Sequence, residues 1–409
     1  MKMSLMNGKN ILLGVSGGVG AFKACELLRL FLKTGANVRV IMTGAATQFV
    51  TPLSFRSLGA EAVSADMFGE KRESLEHVAW ADWGDILVIA PATANIIGKL
   101  AGGIADEVLS TQAIAFDGVI LVAPAMNVKM FNNKTVQKNV IYLKSIGVNF
   151  IGPETGHLAS MITAAGRMSE PQQIFRRARQ LLLNKTALKG KKVVVTAGPT
   201  VEPLDPVRYI SNYSSGKMGY ALADAAAGFG ARVSLISGPV HLDVPPSVNI
   251  ARVKTADEML TTILKECAGA DLLFMAAAVA DYRPSAFHKQ KIKRDRELMK
   301  LDLRANPDIL KSLGKNRPKV VVGFALETEN IEARAVEKLK QKNLDLVVAN
   351  NPTEKGVEFG SDFNKVALYG KNGLCISLSK AEKFDIAVRI IEESIKLLNR
   401  RGPKRKKQA

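Results

Sequence analysis

The chain has 409 residues, 47% hydrophobic and 23% charged, a composition that excludes a disordered polymer and fits a folded globular protein. Its 57 Lys and Arg against 38 Asp and Glu leave a net charge of +19, part of it in the tail Arg400–Lys407. No helix-turn-helix, zinc or RNA-recognition pattern accompanies that charge, so anionic small molecules rather than nucleic acid are the expected partners. No apolar run reaches the roughly 18 residues of a membrane span. The opening MKMSLMNGKN passes straight into a predicted strand, unlike a cleaved export signal. Cys25, Cys267 and Cys375 are scattered without paired spacing, which argues against disulfides or a cysteine metal site and for a cytoplasmic setting.

In chain order, Asn10–Val15 predicts a strand, residues 16–20 a tight glycine loop, Phe22–Lys33 a helix closed by Gly35, and Asn37–Met42 a strand. Asp85–Ala90 and Gly118–Ala123 are further short apolar runs, each followed by proline. Continuous apolar strands between helices predict a parallel sheet covered on both faces. At Leu181–Lys192 a helix gives way to a lysine-rich link, so domains are expected at 1–185 and 190–400, with a basic disordered tail at 401–409. The second domain repeats the pattern, with strands at 192–196, 232–236, 271–276, 319–324 and 344–349 and a helix over Lys217–Ala227. Lys365–Tyr369 and Leu374–Leu378 flank the turn Gly370-Lys371-Asn372-Gly373, predicting a hairpin that adds an antiparallel edge.

The most distinctive stretch is Ala197–Tyr220, AGPTVEPLDPVRYISNYSSGKMGY, between a strand and a helix start. Such a loop aims unpaired backbone N–H groups at one point, which suits an anion. It is not the Walker loop, because Met218 follows Gly216-Lys217 and the glycine four residues earlier is missing. Further unusual loops fall at the carboxyl edge of the predicted sheet, at 276–283, 323–328 and 349–351. Off the strands lie Lys289–Lys293 and Asn306–Ile309. Singly, each reads as tight packing, a turn or a solvated lysine run.

Together, in this order, they resemble the phosphopantothenate–cysteine ligase domain of bacterial bifunctional coenzyme A biosynthesis proteins. The resemblance implies that the carboxylate of 4′-phosphopantothenate attacks the α-phosphate of CTP, giving an acyl-cytidylate that the amine of L-cysteine converts to an amide. It implies CTP contacts at Asp281, Lys291, Asn306, Pro307, Asp308, Ile309, Phe324, Lys338 and Lys342, with Mg2+ or another divalent ion accompanying the nucleotide. Asn212 matches the asparagine that handles the acyl-cytidylate, and Lys291 a catalytic loop lysine. Arg208, Ser214, Ser215 and Gly216 are expected to hold substrate anions. Lys338 and Lys342, at i and i+4, share one helix face.

In the first domain, Gly14–Lys23 does not fit the dinucleotide spacing G-x-G-x-x-G. Pro91–Asn95 and Pro124–Asn127, each at the end of a predicted strand, resemble with His77 the flavin-dependent cysteine decarboxylase family, over roughly residues 8–180. The resemblance implies FMN as cofactor, contacted by Ser16, Gly17, Thr43, Thr93 and Ser110. It implies His77 as the catalytic histidine and Asn127 as the grip on the substrate carboxylate. One departure stands out. Where the family places a proton-donating cysteine before Gly-Arg-Met, this chain has Ser160. A hydroxyl is a far weaker acid than a thiol of pKa near 8.5, so Ser160 is poorly suited to protonate the decarboxylated intermediate. Three outcomes follow: release of an unreduced enethiol, protonation by nearby His157, or an idle flavin scaffold beside a working ligase. A flavin-binding regulatory protein is the rival from another class.

The expected fold is therefore α/β in two domains. The first is a Rossmann-like, flavodoxin-type FMN domain. The second is a Rossmann-like CTP-dependent ligase domain with an antiparallel edge hairpin. The family resemblance also implies a homo-oligomer, with trimeric packing of flavin domains and dimeric packing of ligase domains.

Overall fold

The computed structural model describes residues 4–67, 76–157, 163–183, 186–245, 247–293 and 299–401. Ser160 and the tail beyond Arg401 lie outside them. The chain divides into two compact units, residues 1–183 and 184–409. Among the described residues no helix is long and apolar enough to cross a membrane.

The first unit is built on β1 (Asn10–Val15), β2 (Asn37–Met42), β3 (Ala62–Ser64), β4 (Ile86–Ala92), β5 (Val119–Pro124) and β6 (Asn149–Phe150). They form a parallel sheet in the order β3-β2-β1-β4-β5-β6. Strand residues alternate between faces, and here both faces are covered. Ile11, Leu13, Val40 and Val88 pack with Phe31 and Phe175, whereas Leu12, Ile41, Leu87 and Ile89 pack with Ile97 and Leu109. That two-sided burial is why these strands read as unbroken apolar runs. Burying each such side chain contributes about 1.5–3 kcal/mol of transfer free energy. A hairpin of β7 (Glu154–His157) and β8 (Thr163–Arg167) follows the sheet.

The second unit carries β9 (Lys192–Ala197), β10 (Val201–Pro203), β11 (Tyr209–Ser211), β12 (Arg232–Ser237), β13 (Val248–Arg252), β14 (Leu272–Met275), β15 (Tyr282–Pro284) and β16 (Leu303–Ala305). It continues through β17 (Val320–Leu326), β18 (Leu346–Asn350), β19 (Phe363–Gly370) and β20 (Cys375–Glu382). The main sheet runs β13-β12-β9-β14-β17-β18-β19-β20. It is parallel through β18, after which β19 and β20 pair antiparallel as the expected edge hairpin. One face packs Val194, Leu273, Val321 and Val347 against the helices Ala256–Cys267 and Ile331–Gln341. The opposite face meets the helices Lys217–Gly228 and Lys383–Arg401. Two short ribbons, β10–β11 and β15–β16, stand off the sheet.

In both sheets the strands stay parallel but their chain order reverses beside the first strand, between β1 and β4 and between β9 and β14. A parallel sheet opens a crevice at such a switch point, beyond the carboxyl ends of its strands. That rule places the sites.

Candidate functional site

In the first unit a cavity of about 770 Å³ opens at the β1/β4 switch. Ser16, Gly17, Thr43, Thr93 and Asn127 line it, five of the residues singled out in the sequence. Ser16 ties the two loops together: its hydroxyl donates to the Pro91 carbonyl at 2.9 Å and accepts from the Thr93 N–H at 3.0 Å. Thr93 in turn caps the helix Ala94–Gly102. Gly17 is required by close approach, since a Cβ there would lie 2.4 Å from the Ala45 Cβ. Asn127 caps the next short helix, accepting the Lys129 N–H at 2.9 Å. Met126, Met130 and Met168 give the cavity an apolar wall, and Lys23 and Arg167, both paired with Glu170, a basic one. The sequence reading gave none of these wall residues a role, although Met126 lies within Pro124–Asn127 and Arg167 and Met168 within the Gly-Arg-Met motif.

Ser110 and His77 sit elsewhere. Ser110 is fully buried, its hydroxyl engaged with Glu107 in a capping box at the start of the helix Val108–Ala115. His77 is half-buried on the helix Glu76–Trp83, where its carbonyl accepts from Gln112 Nε2 at 2.9 Å. Neither lines the cavity.

In the second unit two adjoining cavities, about 580 and 290 Å³, share Ala277, Val279, Asp281, Phe324 and Lys338. The narrower one gathers Asp281, Asn306, Pro307, Asp308, Ile309, Phe324, Lys338 and Lys342. Asn306 is fixed by donating to the Ala280 carbonyl at 2.8 Å, and Lys338 Nζ donates to the Phe324 carbonyl at 2.7 Å. Lys342 forms an ion pair with Asp308. Burial alone would raise the Asp308 pKa, but the Lys342 ammonium and the Lys311 N–H hold it below the ordinary carboxylate range. Burial lowers the Lys338 pKa, and nearby Lys342 adds to that despite the opposing field of Glu327.

The wider cavity takes Asn212, Ser214, Ser215 and Gly216 on one wall and Val357–Gly360 with Lys383 on the other. Asn212 donates to the Val279 carbonyl at 3.0 Å, bringing the long loop onto the β14 loop. Arg208 and Lys291 line neither cavity. The Arg208 guanidinium grips Asp205 at 2.6 Å and the Ile292 carbonyl at 2.7 Å. Asp205, its side chain fully buried, also accepts the N–H groups of Val207, Arg208 and Ile292, and these bonds overcome burial to keep its carboxyl ionised far into acid. The lysine segment 289–293 is thereby strapped to the turn before β11.

A family model described as "DNA/pantothenate metabolism flavoprotein C-terminal domain" matches residues 188–398, and one described as "Flavoprotein" matches residues 2–183. The coenzyme A biosynthesis bifunctional protein CoaBC of Bacillus subtilis is 44% identical over 403 residues, covering 97% of this chain and 99% of the relative. The chain belongs to the bifunctional CoaBC family. CoaBC of Haemophilus influenzae is 42% identical over 393 residues, 95% of this chain and 98% of its own. A crystal structure of the C-terminal domain of a CoaBC protein shares 38% identity, covers 53% of this chain and 99% of that one, and has a TM-score of 0.46. As expected for a bifunctional CoaBC family member, each unit has its own crevice at its own switch point.

Proposed function

We propose that the second unit joins L-cysteine to 4′-phosphopantothenate using CTP, through an acyl-cytidylate, and that the first unit decarboxylates the amide to 4′-phosphopantetheine with FMN. The observation that carries this reading is near-full-length identity of 44% to a coenzyme A biosynthesis bifunctional protein. The assembly of eight sequence-assigned nucleotide residues in one cavity supports it.

In the ligase half, a carboxylate needs activation before an amine can displace it, and nucleotidyl transfer supplies the leaving group. Lys338 and Lys342 offer positive charge to the triphosphate, where charge builds as pyrophosphate departs. Among the described residues no group of three or more His, Cys, Asp or Glu could hold a metal. In this proposal Mg2+ enters with the nucleotide phosphates, which with one or two carboxylates commonly hold it. Asn212 holds the acyl-cytidylate beside Val279, and Lys291 acts from the strapped segment. Arg208 contributes by fixing that strap, with Ser214–Gly216 nearest the substrate anions.

In the decarboxylase half, the cavity fits a flavin: hydroxyls of Ser16, Thr43 and Thr93 at a sheet switch point suit a phosphate, and the methionine wall suits a flat ring. Bound FMN supplies the reversible two-electron oxidation of the cysteinyl end that makes loss of carbon dioxide possible. Asn127 orients the carboxylate in the cavity and Gly17 lets the loop lie against Ala45, while the proton-handling role that the family resemblance gives His77 falls to a residue on the helix Glu76–Trp83, outside the lining of this cavity. Ser110 supports the cavity through Glu107, which lines it.

Ser160, in place of the family's cysteine, favours a second reading: a working ligase beside a decarboxylase that is impaired or oxidative only. The reading further includes a cytoplasmic location and a homo-oligomer. The test is a mass-spectrometric product assay, run anaerobically with 4′-phosphopantothenate, cysteine, CTP and magnesium. Accumulation of 4′-phosphopantetheine is expected if both halves turn over. Accumulation of 4′-phosphopantothenoylcysteine or an unreduced decarboxylated product would establish the second reading, and absence of any amide would refute the ligase assignment.

A further inference from the structure

Gln112 is a buried amide that the chemistry above does not use. It is 2% exposed, on the helix Val108–Ala115, whose Val108, Leu109 and Ala113 are buried as well. Burying an amide is costly unless its polar atoms are bonded. Here Nε2 donates to the His77 carbonyl at 2.9 Å, across 35 residues of sequence. A helical carbonyl keeps a second lone pair beyond its intrahelical bond, so Gln112 can hold the first turn of the helix Glu76–Trp83 without unwinding it. The last turn of that helix is fixed separately. Arg39, paired with Glu61 at 2.7 Å, stands over the rings of Trp80 and Trp83 at 5.3 and 4.1 Å. Asn10 Nδ2 donates to the Trp83 carbonyl at 2.9 Å.

The last turn is thus held to β1 and β2, and the first turn to the helix Val108–Ala115. That second helix begins at the flavin cavity. Its N-cap, Glu107, lines the cavity and pairs with Lys99 at 3.1 Å. His77 does not line the cavity, so the place of its imidazole depends on how its helix is seated. We infer that Gln112 is a positioning residue for decarboxylation, acting through His77. It seats the first turn of the His77 helix on the helix that starts at the cavity, and so fixes where His77 meets its proton. The inference rests on the role given to His77 under Proposed function. Removing the amide donor leaves the Arg39 end of the helix fastened, so the helix persists while its first turn loses its seat.

The test compares wild type, Gln112→Met, Gln112→Glu, His77→Ala and the double variant Gln112→Met with His77→Ala, in the full FMN-loaded chain. Activity is read as carbon dioxide released from carboxyl-labelled 4′-phosphopantothenoylcysteine. For Gln112→Met the rate at saturation should fall about tenfold, the scale of one buried hydrogen bond lost with its partner left unpaired. The KM should move by less than about twofold, and FMN content and CTP-dependent pyrophosphate release should hold. The double variant should be no slower than His77→Ala, because residues acting through one group do not add. In Gln112→Glu only the protonated carboxyl can donate, so any deficit against wild type should narrow as pH falls. Trp80 and Trp83 are the only tryptophans in the chain, so emission reads this helix directly. Acrylamide should quench Gln112→Met more readily than wild type. Additive effects in the double variant, a rise in KM alone, loss of FMN together with the rate, a Gln112→Glu deficit indifferent to pH, or unaltered quenching would each overturn the positioning role. A wild type that releases no carbon dioxide, or a His77→Ala as fast as wild type, would overturn the underlying reading and this inference with it. An active wild type, a slow His77→Ala and an unaltered Gln112→Met would overturn the inference alone.

Discussion

Replacing Gly17 with alanine tests the flavin cavity through one added methyl group. That Cβ would stand 2.4 Å from the Ala45 Cβ, 2.7 Å from the Ala45 carbonyl carbon and 2.9 Å from its oxygen. Carbon atoms rest at about 3.5–4.0 Å, so the loop must retreat by an ångström or so. Two of the three obstacles are backbone, and no rotamer change relieves them. Overpacking of this kind costs about 1–3 kcal/mol. For a unit of this size, about 2 kcal/mol corresponds to a fall of roughly 4–8 °C in melting temperature. The retreat also carries Ser16 away from Thr93, so flavin affinity should drop by about tenfold, the equivalent of 1.4 kcal/mol. Gly44→Ala is the control on the facing loop, where an added Cβ meets nothing within 4 Å. The assay is flavin absorbance per chain after equilibration with graded FMN, alongside a melt of the full protein. If Gly17→Ala binds FMN and melts like Gly44→Ala, the close approach of these loops is not what shapes the cavity.

Asp205→Asn should lower the melting temperature of the second unit at pH 7 and speed tryptic cleavage at the already exposed Lys289 and Lys291, by releasing the tie at Ile292. Because the native carboxyl is held below its ordinary 3.8, its contribution is present above that value and fades as pH falls through the lowered one, so the gap to wild type should narrow below about pH 4; a constant gap would contradict the linkage. Lys338, lowered from 10.5 chiefly by burial, loses its charge at a lower pH than a lysine of ordinary pKa would. The KM for CTP should climb on the alkaline side, and Lys338→Arg should delay that climb; coincident profiles would assign it to another group. Cys375 is exposed, whereas burial pushes the Cys267 thiol up to about 12. Thiol reagents should label Cys375 in the native protein and reach Cys267 only on unfolding, as peptide mapping would reveal.

The parallel strands were legible because burial on both faces leaves a run such as Val193–Val195 without a polar interruption. The helix Phe22–Lys33 was legible from its spacing and from the glycine that ends it. The edge hairpin was legible from its turn. The ribbons β10–β11 and β15–β16 were not. Each strand has three residues, two of them contain proline, and exposed Tyr209, Tyr282 and Leu303 break any alternation. Strand β13 was missed for a related reason: as an edge strand it is only half-buried. At the sites, Lys338 and Lys342 could be placed on one face by their spacing, but the Asp308 carboxylate that fixes Lys342 comes from 34 residues away. Arg208 shows the limit most plainly. A cation in an anion-binding loop reads as a ligand contact, yet a neighbour three residues earlier and a carbonyl 84 residues later hold it. Nothing local in the sequence distinguishes those two fates.

The two crevices also differ in how much chain must exist before they can close. The flavin cavity is lined from Ser16 to Met168, all within the first unit, whereas the wider cavity of the second unit draws on Asn212 through Lys383. During synthesis at about 5–20 residues per second, domains fold as units from the N-terminus. The first site is therefore complete while the ribosome is still translating the second unit. The last wall of the ligase site arrives with β19 and the start of the final helix, among the closing residues of the chain. A ribosome stalled midway would release a chain that holds every lining residue of the first cavity and not those of the second, so on the proposed assignment flavin loading by itself gives no measure of full-length product.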